Sequence, residues 1–246
     1  MFKIKMGSLL LLLAMVVSCN FTEEIFLEEN GSGKISINFD GSELMQMGGD
    51  EMMGSTEKAI DSTLSFKQFL EDKKDSIAAL SPEQQAKLKK LEPFNLHMVM
   101  NPETKEMKFD MYSSFKNINE IGDAFNTFQN MDALSPAGRA NQPQFLSNDN
   151  KSSEVSYSFD KSTFTRKAKI LNTTLHQQAI DSLAGAEMFL TGSTYTLKYH
   201  FPKRVKSASA EDATFSADGK TLIYQVGFLE LMKNPEILNL EVELEE

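Results

Sequence analysis

The sequence predicts an α+β fold, in which an antiparallel sheet built from successive hairpins has helices packed on one face. Apolar residues alternate with a period of two in paired segments, and turn residues separate the members of each pair. Between the pairs the period changes to about 3.6, which is typical of amphipathic helices. The 246 residues, 41% hydrophobic and 24% charged, are enough for a large core and a soluble surface.

The first unit is a hairpin. Apolar residues alternate from Ile25 to Leu27 and again from Ile35 to Phe39, on either side of the turn residues 30–33, Asn-Gly-Ser-Gly. Glycine and asparagine at this place favour a tight reversal between two strands.

A Met- and Gly-rich stretch, 41–54, separates this hairpin from two predicted helices. The first helix is indicated by the spacing of Phe66, Phe69, Leu70, Ile77 and Leu80. In Ser81-Pro82-Glu83 the serine is the N-cap, the proline occupies the first helical position, and the acid lies in the first turn of the second helix. That helix runs to about Leu91.

The order of strand, strand and helix occurs twice more. Hairpins are predicted around the turns 101–105 and 160–162, and helices follow over 118–131 and 175–183. A polar loop, 134–151, separates the second unit from the third. The units do not align in sequence, so a weak duplication and the ordinary repetition of a helix-covered sheet both account for the order.

The C-terminal third is predicted to be mostly strands. Apolar residues alternate over 195–201, 222–228 and 238–244, and Asp218-Gly219 marks a hairpin turn before the second of these segments. Together these strands extend the antiparallel sheet.

The first residues have the pattern of an export signal. Lys3 and Lys5 precede an apolar run from Leu9 to Val17, which is shorter than the roughly 20 residues that span a bilayer. Cys19, the single cysteine of the chain, follows directly. An ordinary secretory signal and an uncleaved helix are the alternatives to a lipoprotein signal.

Residues 16–19, Val-Val-Ser-Cys, resemble the lipobox of bacterial lipoproteins. The resemblance implies removal of the signal after Ser18 and attachment of diacylglycerol to the Cys19 thiol, usually with an acyl chain such as palmitate on its amine. The membrane is then a partner through acylated Cys19. Two or three acyl chains hold a protein far more firmly than one. Asn20, in place of the aspartate that marks inner-membrane retention, implies an outer-membrane location, on either face.

The chain therefore divides into a lipoprotein signal peptide over 1–18, a short tether over 19–23 and a single α+β globular domain over 24–246. A tether of about five residues, at most about 3.5 Å each, would keep the domain within about 20 Å of the membrane. Glu23 and Glu24 are interpreted as solvated charges that open a strand, or alternatively as an acidic export tag.

Charge and motifs exclude several functions. Removal of Lys3 and Lys5 changes the net charge from −10 to −12, which disfavours nucleic acid as a partner. The sequence has no motif of a hydrolase, a zinc protease or a phosphate-binding loop. His97, His176 and His200 fall on separate predicted elements, so we predict no catalytic residue, no metal site and no cofactor.

Methionine is the unusual feature of the composition, with 14 residues. Thioethers in Met45-x-Met47, Met52-Met53 and His97-Met98-x-Met100 could bind Cu(I), which is a remote alternative. The favoured interpretation is that Met98, Met100, Met107 and Met111 lie on the inner face of strands and fill irregular gaps in the core.

The strand 195–201, the following Phe201-Pro202-x-x-Val205 segment and the Asp218-Gly219 hairpin resemble the layout of LppM-type envelope lipoproteins. The resemblance implies an α+β envelope domain with an apolar cavity for lipid.

We therefore expect a lipid-anchored, non-catalytic domain of the bacterial cell envelope that binds an apolar ligand such as a lipid or acyl chain. The alternative is a structural or assembly partner that docks on another envelope protein through a strand edge or its acidic face.

Overall fold

The computed structural model describes residues 19–46, 59–122, 152–184 and 187–246, together with Ala124 and Thr127. Within these residues the strands form two sheets and short helices connect them, so the predicted α+β class is confirmed. The predicted signal peptide 1–18, residues 47–54 of the Met- and Gly-rich stretch and the polar loop lie outside the described residues. Half of the residues of the helix predicted over 118–131 also lie outside them, and Ile118–Glu120 form a 3-10 helix.

Twelve strands are described. They are β1 (Asn20–Leu27), β2 (Gly33–Asp40), β3 (Ile60–Ser65), β4 (Asn95–Asn101), β5 (Glu106–Phe115), β6 (Ser153–Asp160), β7 (Thr163–Ile170), β8 (Thr194–His200), β9 (Val205–Ala208), β10 (Thr214–Phe215), β11 (Thr221–Gly227) and β12 (Leu240–Leu244).

The larger sheet has eight strands in the order β10-β11-β8-β1-β2-β5-β4-β3. Its neighbouring strands are antiparallel except for β1 and β8, which are parallel. β1 therefore lies inside the sheet, bonded to β2 on one side and to β8 on the other.

The hairpin predicted at Asp218-Gly219 forms as β10–β11. The three hairpins predicted for the units of strand, strand and helix also form, as β1–β2, β4–β5 and β6–β7. Each connecting turn contains one residue with left-handed backbone geometry: Gly31 (φ 81°), Lys105 (φ 57°) and Lys161 (φ 51°). Glycine adopts this geometry without strain, whereas the two lysines pay a small steric cost for it.

The described helices are short. They are α1 (Ser42–Gln46), α2 (Phe66–Asp72), α3 (Lys74–Ala78), α4 (Pro82–Lys89), α5 (Thr173–Ser182), α6 (Glu187–Leu190) and α7 (Phe228–Lys233), with a second 3-10 helix at Pro235–Leu238. The single helix predicted from Phe66 to Leu80 is divided at Lys73. The predicted cap at Ser81 is confirmed, because its side chain accepts from the Gln84 N–H and the Gln84 side chain bonds back to the Ser81 N–H.

A second sheet has four strands in the order β6-β7-β12-β9. The sequence predicted one long sheet with helices on one face, whereas these four strands form a sheet of their own. Alternation identifies a half-buried strand but does not say which sheet the strand joins, because both sheets bury one face. Contacts between β6 or β7 and β1 or β8 show that the second sheet packs on the inner face of the larger one.

The inner face of the larger sheet has two regions. The tyrosine half consists of the inward residues of β1, β8 and β11, including Tyr195 and Tyr199, and lies under the second sheet. The methionine half consists of the inward residues of β3, β4 and β5, including Met98 and Phe109. Helices α2 to α4 connect β3 to β4, and α1 follows β2. These helices contribute Leu44, Met45, Phe66 and Leu88 to the core that the methionine half shares with the tyrosine half.

The tether predicted over 19–23 is wrong. Residues Asn20 to Glu23 form the first half of β1 and are paired with both β2 and β8. The alternation of buried residues in β1 begins at Phe21, two pleats before the predicted start at Ile25, because Glu23 is an inward residue and not a solvated one. Among the described residues no helix is long and apolar enough to cross a bilayer.

Candidate functional site at the start of the central strand

Cys19 is docked onto the sheet through its backbone. Its N–H donates to Ser193 Oγ at 2.9 Å, and its carbonyl oxygen accepts from the Thr194 N–H at 3.2 Å. Thr194 Oγ1 also donates to Asn20 Oδ1 at 2.8 Å. The residue predicted to carry the lipid is therefore already part of the fold.

Ser193 is itself held in place by the turn between α6 and β8. Its N–H donates to the Leu190 carbonyl at 3.0 Å, and its carbonyl accepts from the Phe228 N–H at 2.8 Å. Ser193 is buried, so its hydroxyl is positioned by the backbone on both sides. This places the acceptor for Cys19 on rigid structure.

The Cys19 side chain is 2% exposed and belongs to the hydrophobic core. Burial raises the pKa of its thiol to about 11; the hydrogen bond with Ser193 opposes this shift, and the Glu43 and Asp40 carboxylates add to it. The thiol is thus a poor nucleophile in the folded domain. A lipid on Sγ requires this side chain to turn outward at the end of β1, and the backbone bonds of Cys19 do not depend on the thiol.

Four residues further along β1, Glu23 is fully buried at the centre of a polar network between the two sheets. Arg166 of β7 donates from Nε to Oε1 at 3.2 Å and from Nη2 to Oε2 at 3.1 Å. Tyr157 and Tyr195 donate at 2.8 Å to Oε1 and Oε2, and Tyr199 donates to Oε1. The carboxylate accepts five hydrogen bonds, which joins β1 and β8 to the second sheet.

The charges of this network compensate each other. Burial by itself would raise the pKa of Glu23, but the Arg166 guanidinium, its hydrogen bonds and those of Tyr199 and Tyr195 lower it. Burial would lower the pKa of Arg166, and the Glu23 carboxylate raises it well above its usual value. Burial and the Glu23 charge raise the pKa of Tyr195 and Tyr199. The lowered pKa favours the ionised form of Glu23, whose Oε1 accepts from three donors and whose Oε2 accepts from two.

The interpretation of Glu23 as a solvated charge or export tag is wrong, because the side chain points into the core. A usable signal was present in the sequence. Glu23 falls on the same alternating face as Phe21, Ile25 and Leu27, where a polar residue needs a buried partner. The partner, Arg166, could not be identified from the sequence, because 143 positions separate the two residues.

Glu24 points to the opposite, open face of the sheet and is partly exposed there. It pairs with Lys198 at 2.8 Å and with His200 Nε2 at 2.9 Å. Burial opposes ionisation, yet the bonds from Lys198 and His200 lower the pKa of Glu24. Only Glu24 of the two therefore fits the solvated interpretation.

The three histidines do not come together. His97 Nε2 lies 2.9 Å from Asp61, His176 Nε2 lies 3.1 Å from the Lys233 carbonyl, and His200 bonds to Glu24 and Thr221. Within the described residues no group of three histidine, cysteine or acidic side chains is arranged to hold a metal ion.

The methionines of β4 and β5 follow the core interpretation. Met100, Met107 and Met111 are buried, and Met98 packs half-buried against the same core. His97 points to the opposite face from Met98, so the segment His97–Met100 does not form one ligand set. Met45 is buried within α1, while Met47, Met52 and Met53 lie outside the described residues.

One row of the inner face links the Cys19 end of β1 to the methionine half. Register places Tyr195, Phe21, Phe39, Phe109 and Met98 side by side across five strands. The rings of Phe21 and Phe39 lie 4.7 Å apart, and those of Phe39 and Phe109 lie 6.0 Å apart. Phe21 is fully buried, whereas Phe109 and Met98 are only half-buried. The side chains of this row are therefore partly accessible to solvent in the methionine half.

Comparison with known proteins yields little. No family model matches the chain, and no curated protein does. Among solved structures, the NMR structure of the folded domain of the Mycobacterium tuberculosis LppM protein is similar, with a TM-score of 0.37 and 7% identity. The match covers 92% of this chain and 89% of that chain. Because both similarity values are low, this likeness gives no information on function.

Proposed function

We propose that this protein is a non-catalytic, lipid-anchored domain of the bacterial cell envelope, located at the outer membrane, that binds an apolar ligand such as an acyl chain. The ligand would lie on the methionine half of the inner face. The observation that carries the proposal is the half-buried pair Met98 and Phe109, which continues the buried row of Phe21 towards the surface.

The position of this pair supports access from the membrane. Met98 and Phe109 lie in the same row as Phe21, which is one pleat away from Cys19. An accessible apolar row at the anchored end of the sheet would face the source of acyl chains. Methionine suits such a site, because its flexible and polarisable side chain adapts to ligands of different shape.

A matched pair of variants on one strand tests ligand binding. Met98→Asp places a charge on the inner face, whereas Val99→Asp places the same charge on the open face of β4. We expect native mass spectrometry of the purified protein to detect bound lipid in the wild type and Val99→Asp, and to detect much less in Met98→Asp. Absence of bound lipid from all three proteins would favour the assembly role instead.

The proposal of a lipid anchor is supported by the lipobox and by the position of Cys19 directly before β1. Cys19→Ala removes the thiol but keeps the N–H that Ser193 accepts, so the fold should survive. We expect the wild type to yield an acylated N-terminal peptide by mass spectrometry, and Cys19→Ala to lose membrane attachment. A wild-type protein that is folded, soluble and unmodified at Cys19 would contradict the anchor.

A further inference from the structure

One end of the eight-stranded sheet is defined by Cys19. At this end β1, β5 and β8 begin, and β2, β4 and β11 finish. We call its surface the anchor end; it comprises Asn20, Asp40, helix α1, the turn 101–105 and residues 191–193. The turn between β1 and β2 lies at the opposite end, about 25 Å away at the usual rise per strand residue.

The docked backbone of Cys19 couples the anchor to the fold. Its N–H and carbonyl are both bonded to the β8 side, and Asn20 already pairs with Asp40 and Thr194. No extended segment therefore separates a lipid on Cys19 from the sheet. A lipid attached here therefore keeps this end of the sheet close to the membrane.

From this geometry we infer that the anchor end rests on the headgroups of a phospholipid bilayer, with β1 directed away from the membrane. The inference rests on the proposed lipid anchor, because the membrane is its partner. It adds the contact surface and the orientation, neither of which follows from lipid attachment alone.

Charge indicates the kind of headgroup. The anchor end carries more acidic residues than basic ones: Asp40, Glu43 and Glu103 against Lys105. Asp40 and Glu43 act directly on the Cys19 thiol, so this charge is close to the attachment point. An acidic surface is repelled by anionic lipids over about a Debye length, roughly 8 Å at physiological salt. The surface therefore fits zwitterionic headgroups.

Two matched cysteine variants test the orientation in the full lipidated protein. Glu103→Cys lies in the turn 101–105, Glu29→Cys lies in the distal turn, and both wild-type side chains are exposed. With Cys19 in a thioether, each variant has one free thiol for a fluorophore. The proteins are reconstituted in phosphatidylcholine vesicles that carry a headgroup spin label, and quenching is measured. We expect strong quenching at position 103 and none at position 29.

Flotation with the vesicles separates failure of the anchor from failure of the orientation. A protein that does not float with the vesicles contradicts the lipid anchor itself. A protein that floats but is quenched equally at both positions, or at neither, contradicts the orientation alone. Replacing part of the phosphatidylcholine with phosphatidylglycerol should weaken quenching at position 103, and stronger quenching would overturn the assignment of headgroup.

A linker variant provides the final control. About ten Gly and Ser residues inserted between Cys19 and Asn20 form a flexible coil that spans roughly 15–20 Å. We expect this insertion to abolish most of the quenching at position 103 while flotation is kept. Unchanged quenching would mean that something other than the docked Cys19 holds the domain against the membrane.

Discussion

The two halves of the inner face exclude water in different ways. In the tyrosine half, a second sheet covers β1 and β8, and the polar groups trapped between the sheets bond to Glu23. In the methionine half, short helices connect the strands, and Met98 and Phe109 remain half-buried. The first arrangement specifies one geometry, because a buried charge tolerates few alternatives. The second leaves flexible apolar side chains that can repack around a ligand.

The largest expected effect comes from breaking the Glu23 network in the tyrosine half. Arg166→Met leaves the Glu23 carboxylate buried without its counter-ion and should cost about 3–5 kcal/mol in the free energy of unfolding. Lys198→Met is the matched control, because it removes an exposed partner of Glu24 and should cost about 1 kcal/mol or less. Urea unfolding at neutral pH measures both. Equal costs would show that the network does not join the two sheets.

The Glu23 network shows why some features of the fold could be predicted from the sequence and others could not. Alternation over 25–39, 96–111 and 155–170 was enough to locate the three hairpins, and Ser81-Pro82 was enough to locate the start of α4, because these signals are local. Glu23 and Arg166 meet only after β1 and β7 have been assigned to facing sheets. The contact between Ser193 and Cys19 could not be predicted for the same reason, because 174 positions separate the two residues. Such long-range pairs leave no periodic signal.

The methionine half offers a second comparison, between a fully buried methionine and a half-buried one. Met111 is fully buried on β5, so Met111→Ala should cost about 2–5 kcal/mol through lost contacts and a cavity. Met98 on neighbouring β4 is half-buried, and Met98→Ala should cost only about 1 kcal/mol. Urea unfolding of the delipidated protein measures both changes. A large cost at Met98 would mean that its side chain fills the core rather than a ligand surface.

Lowering the pH should remove a stabilising contribution that belongs to the tyrosine half. The pKa of Glu23 is lowered in the folded state, so its contribution to stability is present above its unfolded pKa, about 4.3, and is lost as pH falls through the folded value. Tyr199→Phe removes one donor to the carboxylate and should cost about 1.5–3 kcal/mol at neutral pH. It should also move the acid loss of stability to higher pH.

The control for this pH profile is Tyr224→Phe. The Tyr224 hydroxyl donates to the Ile237 carbonyl at 3.3 Å, so its loss does not touch a charge. Urea midpoints across the acid range should shift with Tyr199→Phe and keep their wild-type pH dependence with Tyr224→Phe. Identical profiles for the two variants would place the acid sensitivity outside the Glu23 network.

The smallest expected effect is on the open face of the sheet, where a carboxylate is poorly compensated. Asp110 Oδ1 is buried and has no hydrogen-bond partner in the described part of the chain. Burial raises the pKa of Asp110, His97 opposes that shift and Glu24 adds to it. A raised folded pKa means that the contribution of this group to stability is full below about pH 3.9 and is lost as pH rises through the folded value.

Asp110→Asn removes this charge while keeping the shape of the side chain. At neutral pH the variant should be as stable as the wild type or more stable by at most about 1 kcal/mol, and the difference should vanish near pH 4. Urea midpoints at the two pH values measure it. A loss of stability at neutral pH would mean that the Asp110 carboxylate is satisfied, and the contrast with Glu23 would then rest on burial alone. Glu23 is ionised because five donors meet it, whereas Asp110 carries its charge at a cost because Oδ1 meets none.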